Sequence, residues 1–493
     1  MRKNFSFFAF ITLSVLSLCL SCAKEESIEA PCEDNMEQQV RVRSDVKFKD
    51  NNFEVTKDMA LLFANSLQDK TEIVDVDTYN YEGIPCLYII NYEQGWKVIP
   101  ADSRVQPLLG ESTSGSLDIE SLDNPGVKLW LIGLAESIVK IKECGVEDYN
   151  TEITDMWKFL REMTQKERSI SRQLRDTSSE GGWIKITNTT TSANVVANVD
   201  HLLPTKWGQR YPWNISLPED PNAQGDIDPR FATGCVPTAV AQVLYYFHQQ
   251  TGYPNDLWHS LSVSNMSGNG PYTLSLDRSN HVINSSRWNS MPLIAPTLSP
   301  YLDTDLIDST ACGYVSDLMM DVGVRMGASY SKQMTGTPFF YSWDLNPCGI
   351  TCSAGSYDYS TVRSNLLNGK PIIIDATSPS LGCSHVWVID GCYDKTITTT
   401  VTSQYFYYRP GYSYPSNATY LTESEMLALY PNAYDGMSVV ESTTQSYVKY
   451  LLMNYGWDGE YDSGYYNIEG TNWAESFHND KRIYYNLSAG QLN

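Results

Sequence analysis

Hydrophobic and polar positions divide the chain into stretches of different period. Behind Arg2 and Lys3 an apolar run extends from Phe5 to Leu20 and ends at Ser21-Cys22, too short to span a bilayer comfortably and shaped like an export signal over residues 1–21. Residues 22–45 are polar and of mixed charge, as suits a tether. A folded unit follows. Met59, Leu62, Phe63 and Leu67 recur at helical spacing, and IPCLYIINYEQGWKVIPA alternates as two strands about Gln94-Gly95. Leu129, Leu131, Ile132, Ala135, Ile138, Val139 and Ile141 then repeat the helical period. Together these predict a small α+β domain over residues 46–165. QKERSISRQLRDTSSEGG breaks the pattern with charge and small residues and predicts an exposed, protease-sensitive linker over 166–194. From 195 to 493 the composition turns to Trp, Tyr, Gly, Asn and Ser between short strand patterns.

Within that last stretch, RFATGCVPTAVAQVLYYFHQQ is helical: Val236, Ala239, Val240, Val243, Leu244 and Phe247 form one apolar stripe. Gly234 permits a tight approach and Pro237 suits a first turn, so Cys235 falls at the helix N-terminus. There the dipole and the unpaired N–H groups favour thiolate and predict a pKa well below that of a free thiol. A cysteine that merely packs fits the same helix. A thiolate nucleophile needs a base. His385 stands in the alternating stretch CSHVWVIDG, 150 residues after Cys235, whereas His201, His248, His259, His281 and His478 occupy loop-like or exposed contexts. Asn454, at the end of the apolar stretch KYLLMN, offers an uncharged acceptor to orient the imidazole. Gln209 offers a side-chain N–H that would join the Cys235 backbone N–H in holding an oxyanion.

Composition narrows the classes. At 493 residues, 42% hydrophobic and 19% charged, the chain supports two or three cores, and a net charge of -23 disfavours both nucleic acid and an electrostatic hold on anionic lipid. Of 11 cysteines, Cys19 leaves with the signal and the C-x-x-C that it forms with Cys22 is no metal or redox site. Cys348 and Cys352 fit either a disulfide or two thiols. Neither H-E-x-x-H nor G-x-S-x-G is present, and the Cys-His chemistry needs no metal or other cofactor.

ATGCVPTAVAQ, SHVWVIDG, NYGWDG and WGQRYPWN resemble the motifs of the streptopain family of papain-like cysteine proteases. GWKVIPADSRVQPLLGESTSGS, residues 95–116, is similar to that family's inhibitory prodomain, so the likeness runs from about residue 50 onward. The resemblance implies a two-lobed papain-like α+β domain preceded by a small α+β prodomain that acts as intramolecular inhibitor. It implies Cys235 as nucleophile, His385 as base and acid, Asn454 as orienter and Gln209 as oxyanion donor, with Gly234, Tyr455 and Trp457 at the substrate cleft. Tyr455 stands where the family has tryptophan, and the 69 residues from His385 to Asn454 include an insertion over 393–450. LCLSC resembles a bacterial lipoprotein signal, which would lipidate Cys22, and AKEES is similar to a signal for display on the outer membrane surface. The expectation is an exported, lipid-anchored cysteine endopeptidase made as a zymogen and acting on protein or peptide substrates. A Cys-His amidase or transglutaminase, and an inactive binding protein on the same scaffold, are the alternatives.

Overall fold

The computed structural model describes residues 53–67, 72–144, 157, 182–220, 228–253, 261–263, 274–276, 283–295, 309–330, 335–338, 340–378, 383–415, 418–467 and 481–490. The signal, the tether, Cys22 and linker residues 166–181 lie outside them. In the amino-terminal unit, α1 (Lys57–Ser66) begins where the Thr56 hydroxyl accepts the Met59 N–H, and it buries Met59 and Phe63. Strands β1 (Ile73–Tyr81), β2 (Ile84–Tyr92), β3 (Trp96–Pro100) and β4 (Gly110–Ser112) form an antiparallel meander. The predicted turn at Gln94-Gly95 joins β2 to β3, with Gly95 at φ +88° against the Ser112 carbonyl, a place without room for a side chain. The long helix α2 (Pro125–Cys144) lays Val127, Leu131, Ala135 and Ile138 into the core.

The larger unit opens on β5 (Gly182–Val199) and continues with α3 (Cys235–Thr251), the hairpin β6 (Leu261–Val263) and β7 (Leu274–Leu276), α4 (Ser285–Ser290) and α5 (Ser309–Arg325). Then come β8 (Ile350–Ser356), α6 (Tyr359–Leu367), β9 (Ile372–Ser378), β10 (Cys383–Tyr407), β11 (Ala418–Thr422), α7 (Glu423–Leu429), β12 (Met437–Asn454), β13 (Tyr465–Tyr466) and β14 (Lys481–Ala489). Helices α3, α4 and α5 make one lobe and β8, β9, β10, β12 and β14 the other, so the fold is α+β and two-lobed in the papain-like manner. Helix α3 is the seam: Val236, Val240 and Leu244 share a core with Val386, Val388 and Tyr484 of the sheet. Its expected single stripe is an understatement, because every residue from Val236 to His248 is buried. A helix enclosed on all sides needs no polar face, and each buried Val, Leu or Phe contributes about 1.5–3 kcal/mol.

The two units share one 12-stranded sheet, ordered β1-β2-β3-β4-β13-β12-β10-β9-β14-β8, with β5 beside β10 and β11 beside β5. The junction is β4 against β13. The linker expected over 166–194 needs correction: from Gly182 onward it is β5, paired with β10 on one edge and, at its start, with β11 on the other. The insertion over 393–450 supplies the rest of this arm, namely β10 from Tyr393 onward, β11, α7 and β12 as far as Tyr450.

Candidate active site

Helix α3 is started by Gly234, whose φ of +94° a side chain would strain; a Cβ there would also come within 3.0 Å of Thr335. This gives Gly234, expected at the cleft, a backbone task. The Thr238 hydroxyl donates to the Gly234 carbonyl at 2.8 Å, and Gly252 in left-handed conformation closes the helix with its N–H on the His248 carbonyl. Cys235 is thereby fixed at the first position of α3, half-buried.

Across the seam, β10 carries His385 opposite Ala376 and Val386 opposite Asp375 of β9. The Val386 N–H, together with the N–H groups of Val236 and of Cys235 itself, acts on the Cys235 sulfur in favour of its charged form. Sulfur and the strand of His385 therefore meet at one point. Burial pushes the Cys235 thiol up to about 11, the Val386 N–H opposing it and the Asp375 carboxyl adding to it. The expectation of a depressed pKa is corrected here, because loss of water outweighs the helix N–H groups. Burial likewise drives His385 down to about 4, against the Tyr455 carbonyl that favours its charged form. In this form Cys235 is a thiol and His385 a neutral imidazole. Asp375 is itself raised to about 6 by burial, with Arg482 opposing.

The orienting partner differs from the expected one. His385 Nε2–H donates to the backbone carbonyl of Tyr455 at 3.1 Å. A carbonyl only accepts, so the ring carries its proton on Nε2 and keeps the Nδ1 lone pair free. The Asn454 side chain is engaged elsewhere: its Nδ2 donates to the Thr205 carbonyl at 2.7 Å and to Gln242 Oε1 at 3.0 Å, and its Oδ1 accepts from Gln242 Nε2 at 2.9 Å. Gln242 lies two turns beyond Cys235 on α3, so this reciprocal amide pair locks helix to sheet. Asn454 Oδ1 also accepts the Gly456 N–H at 3.2 Å, shaping the turn that presents the Tyr455 carbonyl.

Gln209 is half-buried, its carbonyl accepting at 2.9 Å the N–H of Thr233, two residues before Cys235. Its segment is pressed on the loop after β12, since a Cβ on Gly208 would meet the Asp458 carboxylate at 2.5 Å and Trp213 Nε1–H donates to that same carboxylate. Trp457 is half-buried against the adjoining core. The Tyr455 ring is 1% exposed, enclosed by Trp387, Tyr466 and the first turn of α2. Cys235, His385, Gln209 and the residues 454–457 thus converge, although what touches the imidazole is a backbone oxygen that no residue type announces. Gln242 had a faint signal, a lone amide inside an apolar helix. Cys348 and Cys352 are free thiols, and among the described residues no group of acidic, His or Cys side chains has the arrangement of a metal site.

The amino-terminal unit grips this same loop. The Trp130 indole N–H donates to the Asn467 carbonyl at 3.0 Å, Asn124 Nδ2 to the Glu460 carbonyl at 3.4 Å, and Ser114 Oγ to Ser463 Oγ at 3.0 Å. Glu111 of β4 forms an ion pair with Lys395 of β10.

Comparison with known proteins places the chain in a family. A model of the Peptidase C10 family matches residues 207–466, over half of the chain and spanning Gln209, Cys235, His385 and Asn454. Streptopain from a serotype of Streptococcus pyogenes is 26% identical over 326 residues, 62% of this chain and 68% of that protein. A second Streptococcus pyogenes streptopain is 27% identical over 254 residues, 50% of each chain, so the match spans from half to about two thirds of these relatives. Among solved structures, a prointerpain A fragment of Prevotella intermedia superposes with TM-score 0.48 at 20% identity, covering 83% of this chain and 97% of its own. Active interpain A cysteine protease of Prevotella intermedia gives 0.35 at 21%, covering 59% and 95%.

Proposed function

The chain belongs to the Peptidase C10 family and is a cysteine peptidase, and from this premise we propose that Cys235 and His385 carry its reaction in a chain made as a zymogen. The observation that carries the reading is the meeting of the Cys235 sulfur with the strand of an imidazole whose Nδ1 is left free by the Tyr455 carbonyl. His385 Nδ1 takes the thiol proton, and the sulfur attacks a peptide carbonyl. The oxyanion is received by the Cys235 N–H and the Gln209 amide. Collapse breaks the C–N bond as His385 returns the proton to the leaving amine, and water then hydrolyses the thioester, releasing the acid and restoring the thiol. Tyr455 and Trp457 border the cleft in which the substrate lies.

Latency follows from the same contacts. The amino-terminal unit seals the loop that holds His385, and burial keeps both reacting groups neutral. Releasing that unit readmits water around Tyr455 and favours the charged pair. Because β5 is paired from Gly182 onward, the cut belongs before it. Full-length protein and protein clipped by trypsin before Gly182 are to be compared on a peptide library. Cleavage only by the clipped form is expected. Equal cleavage by both removes the zymogen reading, and cleavage by neither removes the peptidase reading. Export and lipid attachment at Cys22 rest on the lipoprotein-like start LCLSC; labelling by palmitate in cells, expected to vanish in Cys22→Ser, decides them, and persistence of label overturns them.

A further inference from the structure

His201, Asp390 and Asp462 form a charged cluster that takes no part in the steps above. Its starting point is a β-bulge. In the pairing of β10 with β12, Ile389 faces Met453 and Gly391 faces Leu452, so Asp390 is the extra residue. A bulge re-aims the side chain it carries, and this one turns a carboxylate with no exposed surface toward the segment that leaves β5. Gly391 makes the bend possible, since a Cβ there would lie 2.6 Å from the Val199 carbonyl. Asp390 then takes hold of three consecutive residues: Oδ1 meets His201 Nδ1 at 2.7 Å, its backbone carbonyl accepts the Leu202 N–H at 2.8 Å, and Oδ2 accepts the Leu203 N–H at 3.2 Å.

The other ring nitrogen, His201 Nε2, meets the backbone carbonyl of Asp462 at 2.9 Å. A carboxylate on one side and a carbonyl on the other are both acceptors, so the ring donates twice and is an imidazolium. Burial alone would lower its pKa, yet the hydrogen bond and charge of Asp390, with Asp462 behind them, carry it to about 9. Asp462 Oδ1 in turn accepts the N–H of Tyr455 at 3.3 Å, and the charge of Lys206 also acts on Asp462. Tyr455 is the residue whose carbonyl holds His385 Nε2–H. Both ends of one residue's backbone are thus tied, the N–H to Asp462 and the C=O to the imidazole.

We infer that His201, charged and held by Asp390, is a positioning residue that fixes Tyr455 through Asp462 and so sets the orientation of the His385 imidazole. The inference rests on Cys235 and His385 being the reacting pair. The same loop is also the seat of the amino-terminal unit, through Asn124, Ser114 and the Tyr455 ring. Once that unit departs these contacts are gone, and the clamp of His201 stays to hold the carbonyl in place. A charge pair that joins segments 189 residues apart therefore serves the reaction after maturation.

Two measurements test it. In the full-length chain labelled with ¹⁵N-histidine, the spectrum at pH 7.5 is expected to contain an imidazolium signal that is lost in His201→Gln and an Nε2–H tautomer signal that is lost in His385→Gln. A neutral His201 in the wild type overturns the inference whatever the activity. In the protein clipped before Gly182, Asp390→Asn keeps the shape but removes the charge. It is expected to lower kcat about tenfold with KM within twofold, while Asp390→Glu recovers part of the loss. An Asp390→Asn protein with wild-type kcat overturns the inference. A wild type without Cys235-dependent cleavage instead defeats the functional reading, and the spectrum still decides the clamp.

Discussion

Clipped Cys235→Ala protein will lose on the order of 10⁴–10⁶ in kcat on a peptide substrate, and clipped His385→Ala will lose nearly as much. The double variant will be no worse than Cys235→Ala alone, as the proposed mechanism requires of a sulfur and an imidazole that work as one unit. Steady-state peptide hydrolysis by the three proteins, with thermal unfolding to show that each is folded, gives the result. Multiplying losses in the double variant would mean that the two side chains act independently, which the packing of Cys235 against the strand that carries His385 speaks against.

The second large effect concerns latency. Gly126 occupies the first turn of α2 over the Tyr455 ring, and a Cβ there would come within 2.1 Å of it. That ring has nowhere to retreat, being packed on Trp387 and Tyr466. Gly126→Val therefore forces the amino-terminal unit off its seat at a cost of about 1–3 kcal/mol. Converted to populations, this is roughly a fivefold to 150-fold rise in open molecules. The uncut variant is expected to cleave peptide faster than the uncut wild type by that factor, while the two clipped proteins remain equal. Unchanged latency would show that the unit restrains the enzyme by some route other than this contact.

Several of these features were readable in the sequence, for physical reasons that differ. The helix of Cys235 declared itself because apolar residues at helical spacing, a glycine before and a glycine after leave few alternatives. Strand β5 did not. Its arm is open to solvent on both faces over most of its length, so Thr, Asn, Val and Ala take the place of the hydrophobic alternation on which strand recognition depends. The thiol's direction of shift was misjudged because helix end effects are local and visible, whereas burial is contributed by residues distant in the chain. Asn454 stands next to the residue whose carbonyl meets His385, yet its own amide pairs with Gln242 and Thr205. The order of residues along the chain fixes proximity, and only the three-dimensional arrangement shows its amide paired with Gln242. The Tyr455 carbonyl could not be read at all, since every residue has one. His201 looked like a loop histidine because its partner, Asp390, is aimed by a bulge that sequence patterns do not reveal.

The claim on which the account depends is that the Cys235 thiol and the His385 imidazole exchange a proton once the amino-terminal unit is gone. It is tested by the pH dependence of Cys235 alkylation by iodoacetamide in clipped protein, wild type against His385→Ala. The account predicts a wild-type rate that has already risen to a plateau well below pH 7, as for a thiolate paired with imidazolium, and a His385→Ala rate that rises only near a free thiol's pKa of about 8.5 or above. Superimposable curves for the two proteins would contradict it.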